Sequence, residues 1–359
     1  MHILSAKADA KTVNETWKSF IRNQGAVLEG ERVAHFGNPK QERRVAAEGN
    51  VLADLSSVAL IRARGADTLN FLNGQLSNDI RLVDATHSQL ASWCSPKGRM
   101  LVIFRIFQRG SDYLLQLPVV LQEGMLKRLR MFVMRAKVTL ENLETELVSI
   151  GLSGPDAEKI LRETAGIAPN GDNTCETRDE ISVLRLPGLH PRFQIVAPAG
   201  ICMKLWDDFK ARSAPVGPPV WAWLDIMAGI PTVYPETSEA FVPQMANLEI
   251  VGGVHFKKGC YPGQEIVARM QYLGKLKQRM YRAHIDTEMV RPGDAIYAPD
   301  LPGQSAGTVV DAQPAPEGGC DLLAVVQISS ATNGSLHLGS ADGPQLALHS
   351  LPYSLSASG

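Results

Sequence analysis

No run of about eighteen apolar residues occurs in the 359-residue chain, and the opening MHILSAKADAKTVNETWKSF has no apolar stretch of signal-peptide length. A membrane span and export are therefore not expected; the reading is a cytoplasmic protein with no membrane partner. Excess charge is missing too, since 36 Lys and Arg face 37 Asp and Glu for a net −1 at pH 7. That balance gives no global field for polyanions, so contact with nucleic acid would need a local patch. Cysteine is sparse and scattered: Cys94, Cys175, Cys202, Cys260 and Cys320 form no CxxC and no Cys/His cluster with ligand spacing. No stable metal site is expected, and the odd number reads as reduced thiols.

What is present is an ordinary globular composition, 45% hydrophobic and 20% charged, in a chain long enough for more than one packed unit. Residues 1–50 are polar and mixed in charge, with one amphipathic turn around Trp17, Phe20 and Ile21, and read as a surface leader. VALIRAR then reads as a strand, followed by a helix carrying Leu69, Leu72 and Leu76 with Asp67 placed to cap it. LVIFRIF and YLLQLP flank a turn at Gly110-Ser111 and read as a hairpin. GMLKRLRMFVMRAKV reads as a basic-faced helix running into a strand. FQIVA reads as a strand and ICMKLWDDFKAR as a helix with Cys202, Leu205, Trp206 and Phe209 on one face, which puts Cys202 in a core. After about Arg282, short strands punctuated by Gly and Pro read as a small β-barrel or sandwich. Strands and helices without regular alternation give an α+β class. The expected organisation is a leader (1–50), two intertwined α+β modules (51–281) and a C-terminal β-barrel (282–359).

The chemistry-bearing stretch is Lys257-Lys258-Gly259-Cys260-Tyr261-Pro262-Gly263-Gln264-Glu265-Ile266-Val267-Ala268-Arg269. Gly259 and Pro262-Gly263 are turn chemistry, whereas helix formers start at Gln264 and Glu265 pairs with Arg269 at i, i+4. Cys260 thus sits just ahead of a helix and beside two lysines, an environment that stabilises a thiolate. Burial as a small hydrophobe is the commoner fate of a lone cysteine. From Lys257 to Arg291 eight Lys/Arg face three Asp/Glu, opposite in sign to the whole chain. A second basic run covers residues 127–137. A solvated surface, a folate glutamate tail or an RNA backbone are the readings these runs leave open.

KKGCYPGQEIVAR resembles the signature of the YgfZ family of folate-binding proteins, as do AGIPTVYPETSEAFVPQMANLEIVGGVHF, NFLNGQLSNDI, SWCSPKGRML and KRLRMFVMRAKV, in order, from about residue 50 to 350. The resemblance implies the fold of the glycine-cleavage T-protein, three modules in a ring with a small β-barrel last. It implies tetrahydrofolate, or a derivative, as ligand, and support of iron–sulfur enzymes, including tRNA-thiolating ones, through Cys260 and its motif neighbours Lys258, Gly259, Tyr261, Gly263, Gln264, Glu265 and Arg269. From motif proximity Gln244, Asn247, Trp223 and Arg269 are folate-binding candidates, as edge reader, aromatic wall and cation.

Two departures bear on catalysis. T-proteins carry an acid after an early Gly turn, where this chain reads Gly98-Arg99-Met100-Leu101-Val102, and a second acid ahead of an Ala-Gly pair, where Met227 stands, with Asp225 two residues earlier. No catalytic residue is therefore assigned. A tetrahydrofolate-dependent aminomethyltransferase and a tRNA-binding module remain as alternatives to the accessory factor.

Overall fold

The computed structural model describes residues 15–355. These divide into two compact units that interleave along the sequence: one holds the residues up to Thr68, Val83–Ser88 and Ile106–Ala222, the other Leu69–Leu82, Gln89–Arg105 and the chain from Trp223 onward.

The first unit is built on a six-stranded sheet in the order Cys175–Arg178, Ile181–Leu186, Arg192–Ala197, Val148–Ser153, Val51–Asp54, Ala214–Val216. All neighbours are antiparallel except the last pair. The Ala199–Lys210 helix buries Cys202, Leu205, Trp206 and Phe209 against Phe193, Ile195 and Leu152, as the 3.6-residue spacing requires. Residues 15–23 are helical, and Trp17 and Ile21 are buried in this core, Trp17 edge-on to Trp206 at 5.9 Å. The Val27–Glu29/Arg32–His35 hairpin and the Pro39–Glu48 helix, capped by the Asn38 side chain, complete the segment. Residues 15–50 thus pack into the unit instead of forming a surface leader, and residues 1–14 of that expected leader lie outside the described residues; polar composition concealed a few large side chains that fill the core.

A second set of strands places Val58–Arg64 between Asp112–Pro118 and Thr139–Asn142. The turn Gly110-Ser111 joins Met100–Arg109 to Asp112–Pro118 as expected, Gly110 taking φ 61°. The basic helix spans Val119–Val133 and buries Leu121, Leu126 and Leu129. Asp67 does not cap the following helix: its carboxylate accepts from the Lys137 backbone N–H at 2.7 Å. A partner seventy positions away outbids the local cap.

The second unit contains a closed six-stranded barrel in the order Gln278–Ile285, Cys320–Gln327, Ser305–Pro314, Ala295–Tyr297, Leu336–Leu338, Gln345–His349. It begins at Gln278, four residues before the position read from composition. Its interior holds Ile285, Ile296, Val309, Leu322, Val326 and Leu346. Cys320 and Cys175 each lie buried at the start of a strand.

Candidate functional site around Cys260

Within the second unit, the segments singled out in sequence meet. The Thr68–Gln75 helix ends in NGQLSND. The ammonium of Lys258 reaches its C-terminal turn and donates to the carbonyls of Asn73 (2.5 Å) and Leu76 (2.6 Å). Free carbonyls at a helix C-terminus carry partial negative charge, so a buried cation there is compensated. Ser77 Oγ and Asn78 Nδ2 donate to Gly253 and Gly252 carbonyls, tying the same turn to the residues before the Cys260 loop. Phe241 O accepts from Met100 N, and Gln244 Nε2 donates to Val267 O, which brings the PETSEAFVPQMAN stretch onto the SWCSPKGRML strand and the Gln264–Tyr272 helix.

Two glycines make the closest approach. Gly263 has φ 78°, and a Cβ built there would lie 2.5 Å from Ser95 O and 2.6 Å from Gly98 Cα. Gly98, at φ 69°, would place its own Cβ 2.9 Å from Ile266 Cβ. Both positions need glycine for conformation and for space, which is why the two motifs carry it at these points.

The Cys260 loop alternates in direction. Lys258 and Tyr261 are each 7% exposed and point inward, the ammonium 5.2 Å from the phenol ring centroid, while Gly259 and Cys260 between them face solvent. Burial lowers the Lys258 ammonium from 10.5 to about 8 and pushes the Tyr261 phenol well above its ordinary range. Cys260 precedes the helix by four residues, with Gly263 as N-cap. Of the two lysines expected to flank the thiol, Lys257 is exposed and Lys258 is directed to the helix carbonyls instead.

The remaining motif residues fall around this loop. Gln264 is half-buried, with Nε2 3.5 Å from Lys258 O. Glu265 and Arg269 are both exposed, and among the described residues no ion pair joins them. Cys94, Cys175, Cys202 and Cys320 are all buried, so Cys260 is the one exposed thiol. Burial pushes Cys94 and Cys175 up to about 11 and Cys202 up to about 12, which leaves them protonated and unreactive.

The folate candidates are engaged internally to different degrees. Trp223 Nε1 donates to Asp321 at 2.7 Å, and Asn247, in a left-handed turn at φ 56°, donates to Met280 O at 2.8 Å. Gln244 is 2% exposed and keeps Oε1 buried without a partner. Arg269 is the exposed cation of the set. Where T-proteins carry acids, Arg99 donates to Ala240 O and Met227 Sδ accepts from Arg282 at 3.1 Å. Asp225 lies close enough to Asp311 and Tyr234 to raise both; Asp311, raised chiefly by burial, is pushed up to about 7. No motif gave any sign of this acid pair. Among the described residues no group of three His, Cys, Asp or Glu is arranged to hold a metal ion.

A cavity of about 320 Å³ lies in the first unit, lined among others by Trp17, Asp54, Ser56, Leu60 and Leu143, and contains no motif residue. Asp54 at its base accepts from Trp17 Nε1 (2.9 Å) and Ser56 Oγ (2.5 Å).

The fold, a mixed α/β chain with a closed six-stranded barrel, is that of the aminomethyltransferase T class by structural superposition. The glycine cleavage system aminomethyltransferase T from Bartonella henselae superposes with a TM-score of 0.76 over 94% of this chain and 96% of that one, at 17% identity. The model of the GCVT N-terminal domain matches residues 17–174. Within that class the chain belongs to the YgfZ family. It is 31% identical over 312 residues to the tRNA-modifying protein YgfZ of Colwellia psychrerythraea, covering 85% of this chain and 94% of that one. It is 32% identical over 234 residues to the tRNA-modifying protein YgfZ of Hamiltonella defensa, covering 63% and 68%. No helix is long and apolar enough to cross a membrane among the described residues.

Proposed function

We propose that this chain is a folate-binding accessory protein that supports iron–sulfur enzymes, tRNA-thiolating ones among them, through the thiol of Cys260. The observation that carries the reading is the loop itself. Two buried side chains, Lys258 and Tyr261, hold one exposed cysteine outward, while the other four are sealed in cores. Such an arrangement suits a thiolate offered to a partner, not one kept for packing. The cluster is cargo here: a single thiolate supplies one ligand of the usual four, so the remainder come from the partner protein. The name of the relatives, tRNA-modifying proteins, supports clients that modify tRNA.

The residues fit folate in part. Gln244 offers a buried unpartnered acceptor and Arg269 an exposed guanidinium for an anionic tail, whereas the Trp223 and Asn247 donors are already committed. Folate therefore enters as a ligand, and no chemical step is routed through it. Aminomethyl transfer is the weaker alternative, because the two positions that would carry its acids hold Arg99-Met100 and Met227.

The test is tRNA thiolation and iron–sulfur enzyme activity in a deletion strain complemented with wild type or Cys260→Ala at matched protein level. Rescue by wild type alone is expected. Equal rescue by the variant removes the thiol from the mechanism, and unchanged activities in the deletion strain overturn the accessory role.

A further inference from the structure

The C-terminal end of the Val119–Val133 helix has a one-sided surface chemistry. Between Gly124 and Leu140 the chain carries five cations, Lys127, Arg128, Arg130, Arg135 and Lys137, and no acid. Arg130 is spent on the Leu140 carbonyl, at 2.7 Å. Lys127, Arg135 and Lys137 are exposed, and beside them stand Met131 (66% exposed), Phe132 (43%) and Met134 (87%). The turn that follows is held in place: Asp67 accepts from Lys137 N through its carboxylate and donates its own N–H to Lys137 O. The Asp67 carboxylate at this turn is therefore occupied by a backbone N–H.

We infer that this helix end is an RNA-binding surface, separate from Cys260, whose cations meet phosphates while Phe132 and the two methionines pack on unstacked bases. Cations without acids supply the electrostatic term that dominates RNA affinity, and an exposed aromatic beside them is the stacking element of single-stranded recognition. An anionic lipid surface would want the same cations, but an interfacial helix also needs its apolar face free. Here that face, Leu121, Leu126 and Leu129, is turned into the unit, leaving three side chains at one end. Such a surface would put the protein on the RNA as well as beside the enzyme. The inference rests on the reading above only for tRNA as the probe.

The experiment is binding of unfractionated tRNA to the full chain, followed by anisotropy from about 50 to about 200 mM salt. With about three phosphates engaged, log K should fall with log salt at a slope of roughly −2 to −3. Lys127→Glu with Arg135→Glu should lower affinity at least ~10-fold, and Phe132→Ala about 5-fold, with melting curves unchanged. Cys260→Ala should bind as wild type, which separates this surface from the thiol. Absence of tRNA binding, equal binding by the charge-reversed variant, or sedimentation with phosphatidylglycerol vesicles in place of tRNA binding each overturns it.

Discussion

The Cys260 loop exposes a thiol and the end of the basic helix exposes cations and large apolar side chains, yet the two are built in opposite ways. The loop exposes one atom of interest and buries its neighbours: Lys258 and Tyr261 anchor it from both sides, and Gly263 packs backbone to backbone on Gly98. The helix end exposes a whole row, Met131, Phe132 and Met134 among cations, over anchors that include the Asp67–Lys137 clamp, Arg130 on the Leu140 carbonyl and the leucines beneath. A single thiol has to be aimed, which needs fixed supports. A surface that grips a polyanion needs only density of charge and contact area.

The difference is sharpest at Gly263. Gly263→Ala must relieve contacts with backbone atoms of Ser95 and Gly98 and also strain at φ 78°, so a loss of about 3 kcal/mol is expected, read as a lower urea midpoint. Gly259, in the same motif, has nothing within 4 Å of a built Cβ, and Gly259→Ala should change stability by less than about 0.5 kcal/mol. Equal effects would mean that the motif is uniformly loose and that Cys260 is not held.

Lys258 comes next. Lys258→Met leaves the Asn73 and Leu76 carbonyls without their donor, at a cost of about 1–3 kcal/mol, and frees the loop, so alkylation of Cys260 should change in rate. The pH dependence has a definite sign. The folded ammonium titrates at about 8 and the unfolded one near 10.5, so between these values the unfolded chain binds more protons and wild-type stability rises with pH. Below about 8 both states are protonated and the burial penalty is fully present. Melts of wild type and Lys258→Met should therefore diverge in favour of wild type between pH 8 and 10.5; parallel curves would show that the lysine is not buried as an ion.

These supports were only partly legible in the sequence. Spacing placed Cys202 in a core and Cys260 ahead of a helix, because both depend on neighbours within two turns. The target of Lys258 was illegible: a lysine beside a cysteine reads as a cation for its thiolate, and the competing carbonyls lie more than 180 positions earlier. Asp67 failed as a cap for the same reason. The amphipathic turn at Trp17 was visible, but its burial depended on Trp206, which no local pattern connects to it. The three-strand sandwiching of Val58–Arg64 and the Asp225–Asp311–Tyr234 group likewise arise only from packing. Exposure of Met131 was hidden because it shares the apolar alphabet of Leu126 and Leu129 while lying off their face.

That last point yields the smallest expected effect. If Met131 and Met134 are contact residues and not part of the core, Met131→Ser with Met134→Ser should leave the urea midpoint within about 0.5 kcal/mol of wild type, since little apolar area is removed from a packed interior. A buried methionine shortened in this way would cost about 2–5 kcal/mol. The left-handed Met134, at φ 46°, adds to the contrast: a side chain held in a strained conformation yet 87% exposed contributes little to folding. A large loss on substitution would mean that the helix end is packed against something in solution, and its exposure would then no longer distinguish it from the anchored loop around Cys260.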